Sequence, residues 1–424
     1  MFLQFALVIL SIQIIILIHE CGHFFCAKYL GFQVTNFNIG FGKKLFSINI
    51  LNTLFAIRLI PLGGYVSIKN LSFQNEQLSD CLKIWVMGPI FNFIAAIIVF
   101  MIILTNDFYE LKPRIESPGL SSVYVRSIDG NNVYTWEKAY SKLIANLFWN
   151  KSVNVVLSNQ ENIDVKLEDI NFKSTKPILD QMNLKQWRPK VTPIIESSNI
   201  PEIKKGDSIL GVDNIVINQW SIFKHYIKKS PGKVVQIKVI RGNKIITTNV
   251  LIQKKFHTLT NIPYGYLPVE AKQISWPKNE IINSKSNVFT LLNHSLRRFI
   301  AQFKFQLTVF SSIFIGNVPF EAFTGPIGIG SIILQSINSS FLVFLYTFCI
   351  INISIGIINL LPLPGLDGGQ MIIAVINKLI GYKITLRWVR LLERMTLIVF
   401  FILLVKITLL DIEKYLLYIS ETTL

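Results

Sequence analysis

Charge is scarce in this sequence, and acidic charge scarcer. Only 16% of the 424 residues are Asp, Glu, Lys or Arg, and 25 acidic residues face 42 basic ones, a formal net charge of +17. Soluble domains are about a quarter charged, so the basic balance does not describe a soluble nucleic-acid binder. Disorder is excluded as well. A disordered chain is poor in apolar residues, and 51% of this one is apolar. Cysteine is nearly absent: Cys21, Cys26, Cys81 and Cys349 lie within or beside apolar runs, and no disulfide framework is expected. What remains is a multi-span membrane protein whose basic residues report topology.

A helix needs about 20 mostly apolar residues to cross roughly 30 Å of hydrocarbon. Four runs qualify: 2–25, 84–105, 340–362 and 395–410, the last interrupted by Lys406, which must snorkel or face protein. The first run has no Lys or Arg ahead of it and no small-residue cleavage site after it, so it reads as a retained span. The connection between spans 1 and 2 carries Lys28, Lys43, Lys44, Arg58, Lys69 and Lys83 against Glu76 and Asp80. Between spans 3 and 4, Lys378, Lys383, Arg387, Arg390 and Arg394 outnumber Asp367 and Glu393. Basic loops stay cytoplasmic. Both termini are therefore expected outside, along with the long segment 107–338.

That segment has the composition of a mixed α/β insert, and it repeats itself. Strand, turn, strand, Trp, helix and hairpin run through 123–167 and recur through 206–253. Both copies resemble PDZ domains. The second (186–258) matches through Gly206, Asp207 and the Arg241–Gly242 turn. The first (113–185) is degenerate, with little chain ahead of Val123 for opening strands. Within 280–338, residues 287–308 place apolar side chains at helical spacing opposite Arg297, Arg298 and Lys304, the pattern of an amphipathic helix on a membrane surface. Residues 309–338 are apolar but broken by Pro319 and by Thr324–Gly325–Pro326, and are expected as a membrane-associated loop.

Two polar motifs sit where a bilayer makes them costly. The first is HECGH, residues 19–23, near the end of span 1. On a helix His19 and His23 lie one turn apart on one face, so both rings can reach one metal ion. Glu20 stands beside the first ligand, able to take a proton from a water the metal activates. Zinc suits such a site, with three protein ligands and one open position. For a third ligand, His225, His257 and His294 all fall in the exported segment. Asp367, in NLLPLPGLDGGQ (359–370) at the end of span 3, is the best remaining candidate. Gly368 and Gly369 let its backbone approach a neighbouring helix closely.

HECGH, LDGG and the repeated insert together resemble the site-2 protease family of intramembrane zinc metalloproteases, and within it the bacterial proteases that regulate sigma-E. IRLIPLGGYV (57–66) is similar to the family's membrane re-entrant β-hairpin, GPIFN (88–92) to its second-span motif, and TGPIGI (324–329) and GIINLLPLPGLDGG (356–369) to segments around its third span. The resemblance implies four transmembrane helices (residues 1–106 and 339–424), a re-entrant hairpin at 46–66 and two extracytoplasmic PDZ-like domains. It implies zinc on His19, His23 and Asp367, with Glu20 as general base and then acid. Asn359 would contact substrate or the developing oxyanion. Pro61 and the Gly63–Gly64 pair would end the hairpin strand and position Tyr65, so that Gly63, Gly64 and Tyr65 bind substrate as an added strand. The implied substrates are single-span membrane proteins of the anti-sigma factor type, already trimmed by a site-1 protease, and leftover signal peptides. The implied location is the bacterial inner membrane. Gln370 and Ser354 depart from the family pattern without touching the ligand set.

Two other functions fit the sequence less well. A scaffold binding exported C-termini would need neither HECGH nor LDGG, and a zinc transporter would spread more acids and histidines across its spans. Residues 185–304 hold 20 Lys+Arg and 6 Asp+Glu. An anionic phospholipid surface, rather than nucleic acid, is the expected partner of that excess.

Overall fold

The computed structural model describes residues 2–69, 78–105, 110–116, 123–172, 174, 177–187, 189, 193–256, 263–272, 277–282, 288–380 and 386–423. Glu76, His257 and Lys383, named above, lie outside them. Among the described residues, four helices are long and apolar enough to cross a membrane: Ala6–Tyr29 within α1 (Phe2–Tyr29), α2 (Leu78–Thr105), Phe341–Asn359 and Arg387–Leu416. They coincide with the four expected runs, but the third ends at Asn359 and leaves Leu360–Pro362 outside the helix.

Between α1 and α2 the chain forms two long strands, β1 (Val34–Ile50) and β2 (Thr53–Ile68). The expected hairpin at 46–66 is only part of this unit. Leu51 and Asn52, both at positive φ (48° and 61°), make the tight turn. Gly40 and Gly42, at φ 85° and 82°, let β1 fold back on itself. Each strand thus supplies two segments, laid side by side in the order 44–50, 53–58, 34–39, 64–68. The central register rises together from Asn36–Leu54 to Ile39–Ile57 and is parallel, within a pair that is otherwise antiparallel. β2 does not end at Pro61 or Gly63–Gly64 but runs on to Ile68.

Beyond α2 come β3 (Glu110–Leu111), β4 (Arg114–Ile115), β5 (Val123–Ile128), β6 (Asn131–Asn132), α3 (Trp136–Leu147), β7 (Ser152–Leu157), β8 (Asn162–Lys166) and α4 (Ile178–Gln181). Next follow β9 (Ile195–Ser198), β10 (Ser208–Val212), β11 (Ile215–Val216), α5 (Trp220–Lys228), β12 (Val234–Arg241) and β13 (Lys244–Leu251). The two copies share a strand order: β6–β5–β7–β8 and β11–β10–β12–β13. They also share a turn device. Asp129 and Asp213 each sit at positive φ and accept a hydrogen bond from the facing strand, from Asn154 N at 3.0 Å and Gln236 N at 2.8 Å. Each copy has its own apolar core, one around Val125, Leu143 and Val155, the other around Ile209, Phe223 and Ile237. The first copy does find an opening strand, because β4 pairs with β5. The second draws in chain beyond 258. A hairpin of β14 (Gln253–Phe256) and β15 (Pro263–Tyr266) leads to β16 (Val269–Ala271), which pairs with β9, and Leu267 is buried in the second core.

After β17 (Ile281–Ile282), which pairs with β3, α6 runs Val288–Ile315. Its polar side is split, with Arg297 and Lys304 exposed and Arg298 turned inward. Arg298 is buried and pairs with Glu110 at 2.8 Å, while Leu292, Leu296, Ile300 and Leu307 form the exposed stripe. The helix packs on α2 and α3 and on α8 (Phe341–Asn359). The loop expected over 309–338 is a correction: α6 continues to Ile315, and α7 (Pro326–Ser339) starts with its proline at the first helical position, where a missing N–H costs nothing. α9 (Asp367–Ile380) and α10 (Leu386–Thr423) complete the chain. Ala96, Phe100 and Ile103 of α2 pack with Cys349, Ile353 and Ile357 of α8, and Gly356 makes room for the Phe93 ring. This α2–α8 pairing carries the end of α8, and so the start of α9, toward α1.

Candidate metal centre

His19 and His23 project from one face of α1, one turn apart, and both are buried. Two glycines let that face meet α2. A Cβ on Gly22 would stand 2.2 Å from the Met87 carbonyl oxygen, and one on Gly88 would stand 2.4 Å from His23 Nε2 and 2.7 Å from His19 Cε1. No other residue lets the two helices approach so closely with two imidazoles between them. Asp367 arrives as the first residue of α9. Behind it Gly368 packs on the Leu360 carbonyl and Gly369 on that of Leu363, where Cβ atoms would come within 2.3 and 2.0 Å. Those two glycines fold the first turn of α9 onto the 360–364 loop and aim Asp367 inward.

The three side chains converge. Asp367 Oδ2 is 3.0 Å from His19 Nε2 and 3.4 Å from His23 Nε2, and the two ring nitrogens are 3.2 Å apart. One ligand atom from each residue lies within 4.8 Å of the others. Asp367 Oδ2 is buried and has no partner in hydrogen-bond geometry. Two imidazole nitrogens and a carboxylate oxygen crowded on one point fit a small divalent cation. The donor set is one that zinc uses in catalytic sites, three protein ligands with a fourth position open.

The surroundings fix the rings. His23 Nδ1 lies 2.8 Å from the Ile84 carbonyl oxygen, which selects the tautomer with the lone pair on Nε2. Asn92, one turn beyond Gly88 on α2, has its amide 3.4 Å from His19 Nδ1. Glu20 is half-buried and accepts a hydrogen bond from the backbone N–H of Val66. Gly64 lies against it, for a Cβ there would be 3.2 Å from Glu20 Cγ. Gln13 donates to the Gly63 carbonyl at 3.0 Å, and Gly63 sits at φ +106° with the Phe41 ring where its Cβ would be. Segment 64–68 is an outer segment of its sheet, paired only with 34–39, and its free side is beside Glu20. Tyr65 alternates to the other face, where it stacks with Phe41 at 6.2 Å and lies under Arg58 at 5.6 Å. Asn359 closes α8, next to the Leu360 carbonyl on which Gly368 packs.

In the sequence, GPIFN carries no residue roles of its own. Gly88 and Asn92, at i and i+4, share the face of α2 that meets the histidines, and that spacing was the available signal. The Ile84 carbonyl and the Val66 N–H are backbone groups, which a residue pattern does not reveal.

Comparison with known proteins gives the chain a family. The family model described as Peptidase family M50 matches residues 7–404. The chain is similar to the regulator of sigma-E protease RseP of Escherichia coli strain K12, 24% identical over 415 residues that cover 89% of this chain and 91% of that protein. It is likewise similar to the regulator of sigma E protease of Haemophilus influenzae, 26% identical over 418 residues, with 89% and 91% covered.

Proposed function

Because the chain belongs to peptidase family M50, and is therefore a membrane zinc metalloendopeptidase of the site-2 type, we propose that it cuts single-span membrane proteins of the anti-sigma factor type. The scissile bond lies in the substrate's transmembrane segment, exposed after a site-1 protease has trimmed the exported part, and leftover signal peptides are a second substrate class. The observation that carries this reading is the convergence of His19, His23 and Asp367, with Glu20 held between them and the outer sheet segment 64–68.

Zinc held by the three ligands supplies a Lewis acid for the carbonyl and lowers the pKa of a water to about 7. Glu20 takes the proton of the attacking water and returns it to the leaving amine. Asn359 donates its amide to the developing oxyanion. A substrate helix shields its own peptide bonds, so it must unwind. An unwound segment adds as a strand along 64–68, with Gly63 and Gly64 keeping the edge clear of side chains and Tyr65 bracing its far face. Val66 N–H already bonds Glu20 on this side, so base and incoming backbone meet at one edge.

The basic loops support a bacterial inner-membrane topology with both termini periplasmic. The two repeated units are read as PDZ-like and periplasmic, a size filter that rejects substrates still carrying a bulky domain. The test uses the full chain in detergent: measure bound zinc, then compare cleavage of a transmembrane reporter by the wild type and Glu20→Gln. Loss of cleavage in the variant with zinc retained is expected. Equal cleavage by both, or no cleavage by either with peptide binding intact, defeats the reading.

A further inference from the structure

We infer that Asn92 is a positioning residue for the metal site, its carboxamide oxygen holding His19 in the one tautomer that can ligate through Nε2. The inference rests on the reading of His19, His23 and Asp367 as ligands. Ile84, Gly88 and Asn92 succeed one another at four-residue spacing along a single face of α2. Ile84 offers its carbonyl to His23 Nδ1, Gly88 leaves room for both rings, and Asn92 meets His19 Nδ1. The helices run antiparallel, so 84 serves 23 and 92 serves 19.

His19 points Nε2 at His23 Nε2 and Asp367 Oδ2. A lone pair on that nitrogen requires the proton on Nδ1, and a buried N–H requires an acceptor. Asn92 is 0% exposed, and its Oδ1 has no hydrogen-bond partner while its Nδ2 stands 3.4 Å from the ring. With nitrogen toward the ring, the amide suits only the other tautomer, whose Nε2 proton would block ligation. Turning the amide about its last bond brings the orphaned oxygen to Nδ1–H and satisfies both groups. Ligating histidines almost always donate their other N–H to an oxygen, and losing that oxygen lowers metal affinity 10–100-fold. Asn92 therefore does for His19 what the Ile84 carbonyl does for His23, with a neutral acceptor in each case.

The experiment is zinc competition against a chromophoric chelator on the full chain in detergent, with the visible spectrum of the cobalt-loaded protein as a second readout. Asn92→Ala and Asn92→Leu are expected to bind zinc 10–100-fold more weakly, with an altered cobalt spectrum. Asn92→Asp, which keeps an oxygen acceptor, is expected to bind at least as tightly as wild type. A packing role would lower the melting temperature of the metal-free Ala, Leu and Asp forms and leave zinc affinity unchanged. Wild-type affinity in the Ala and Leu forms overturns the inference. If those two do not fold, the Asp form decides, and binding tenfold weaker than wild type overturns it. His19→Ala runs in parallel: should it keep zinc, or should wild type bind none, the ligand reading fails first and this inference with it.

Discussion

Gly88→Ala sets two physical effects against each other. Gly88 lies inside α2, and Ala is the better helix former by about 1 kcal/mol. Helix propensity alone therefore predicts a more stable protein. The new methyl would stand 2.4 Å from His23 Nε2, 2.6 Å from His23 Cε1 and 2.7 Å from His19 Cε1. Ordinary Cβ contacts begin at 3.4 Å, so His23 Nε2 must withdraw by about 1.0 Å. A zinc–nitrogen bond is about 2.0–2.1 Å long and tolerates about 0.2 Å. The ring cannot swing to one side at no cost, because its Nδ1 is held by the Ile84 carbonyl at 2.8 Å. The displacement is several times the tolerance, so zinc affinity should fall by two orders of magnitude or about 3 kcal/mol, beyond anything the helix term returns. Zinc occupancy after dialysis against a weak chelator and cleavage of a transmembrane reporter measure the loss, with metal-free melting temperature as the control. A Gly88→Ala protein that keeps wild-type zinc and cleavage would refute the claim that this glycine makes room for the ligands.

Three further outcomes follow from the rest of the molecule. Asp411 of α10 accepts the N–H groups of Gly325 at 3.0 Å and Gly328 at 2.8 Å, capping the start of α7; Asp411→Ala should lower stability by about 2 kcal/mol, seen as a lower melting temperature, with Asp411→Asn intermediate. Burial raises the Glu137 carboxyl above its ordinary value against the pull of Arg298, so the folded state holds that proton more tightly and stability falls as pH rises through the range above 4.5. Melting of Glu137→Gln from pH 4 to 8 should show a shallower decline than wild type; an identical slope contradicts the assignment. Asp207 is 1% exposed and bonds Arg241 twice at 2.8 Å, and this pairing holds its carboxyl below the ordinary value. Its stabilisation is complete above the ordinary value near 3.8 and lost as pH falls through the depressed one. Arg241→Ala should therefore lower hydrogen-exchange protection in β10 and β12 at neutral pH, by an amount that shrinks as pH falls below 3.8.

The convergence of His19, His23 and Asp367 was legible because these residues carry their chemistry in their identity and spacing. HECGH states its own face on a helix, and an acid followed by two glycines after a span has few other uses. The groups that hold the ligands were not legible in the same way. Ile84 acts through a carbonyl and Val66 through an N–H, and every residue offers those. Asn92 reads as a polar residue in a span until the antiparallel register of α1 and α2 brings it to His19. The misread loop at 309–338 has a related cause. Pro326 looks like a breaker in the sequence, but at the start of α7 it is a starter, and only the Asp411 cap from a helix some 85 residues on distinguishes the two.

The sheet between α1 and α2 shows what local pattern cannot give. Alternation and a turn were enough to suggest a hairpin over 46–66, yet the pairing of 34–39 with both 54–57 and 64–68 depends on bends at Gly40, Gly42 and Gly63 that leave no periodic trace. The difference bears on function. A simple hairpin would have offered the outside of 53–58 as an edge, and that side is covered by 34–39. The four-segment order leaves 44–50 and 64–68 outermost. The first carries Leu45, Phe46, Ile48 and Ile50 exposed, an apolar rim suited to lipid. The second alone runs past Glu20 and the metal ligands. Under the proposed reading, a strand added at 44–50 would be held three segments away from Glu20, so that reading expects substrate to add at 64–68, the edge that the two glycine bends in β1 put there.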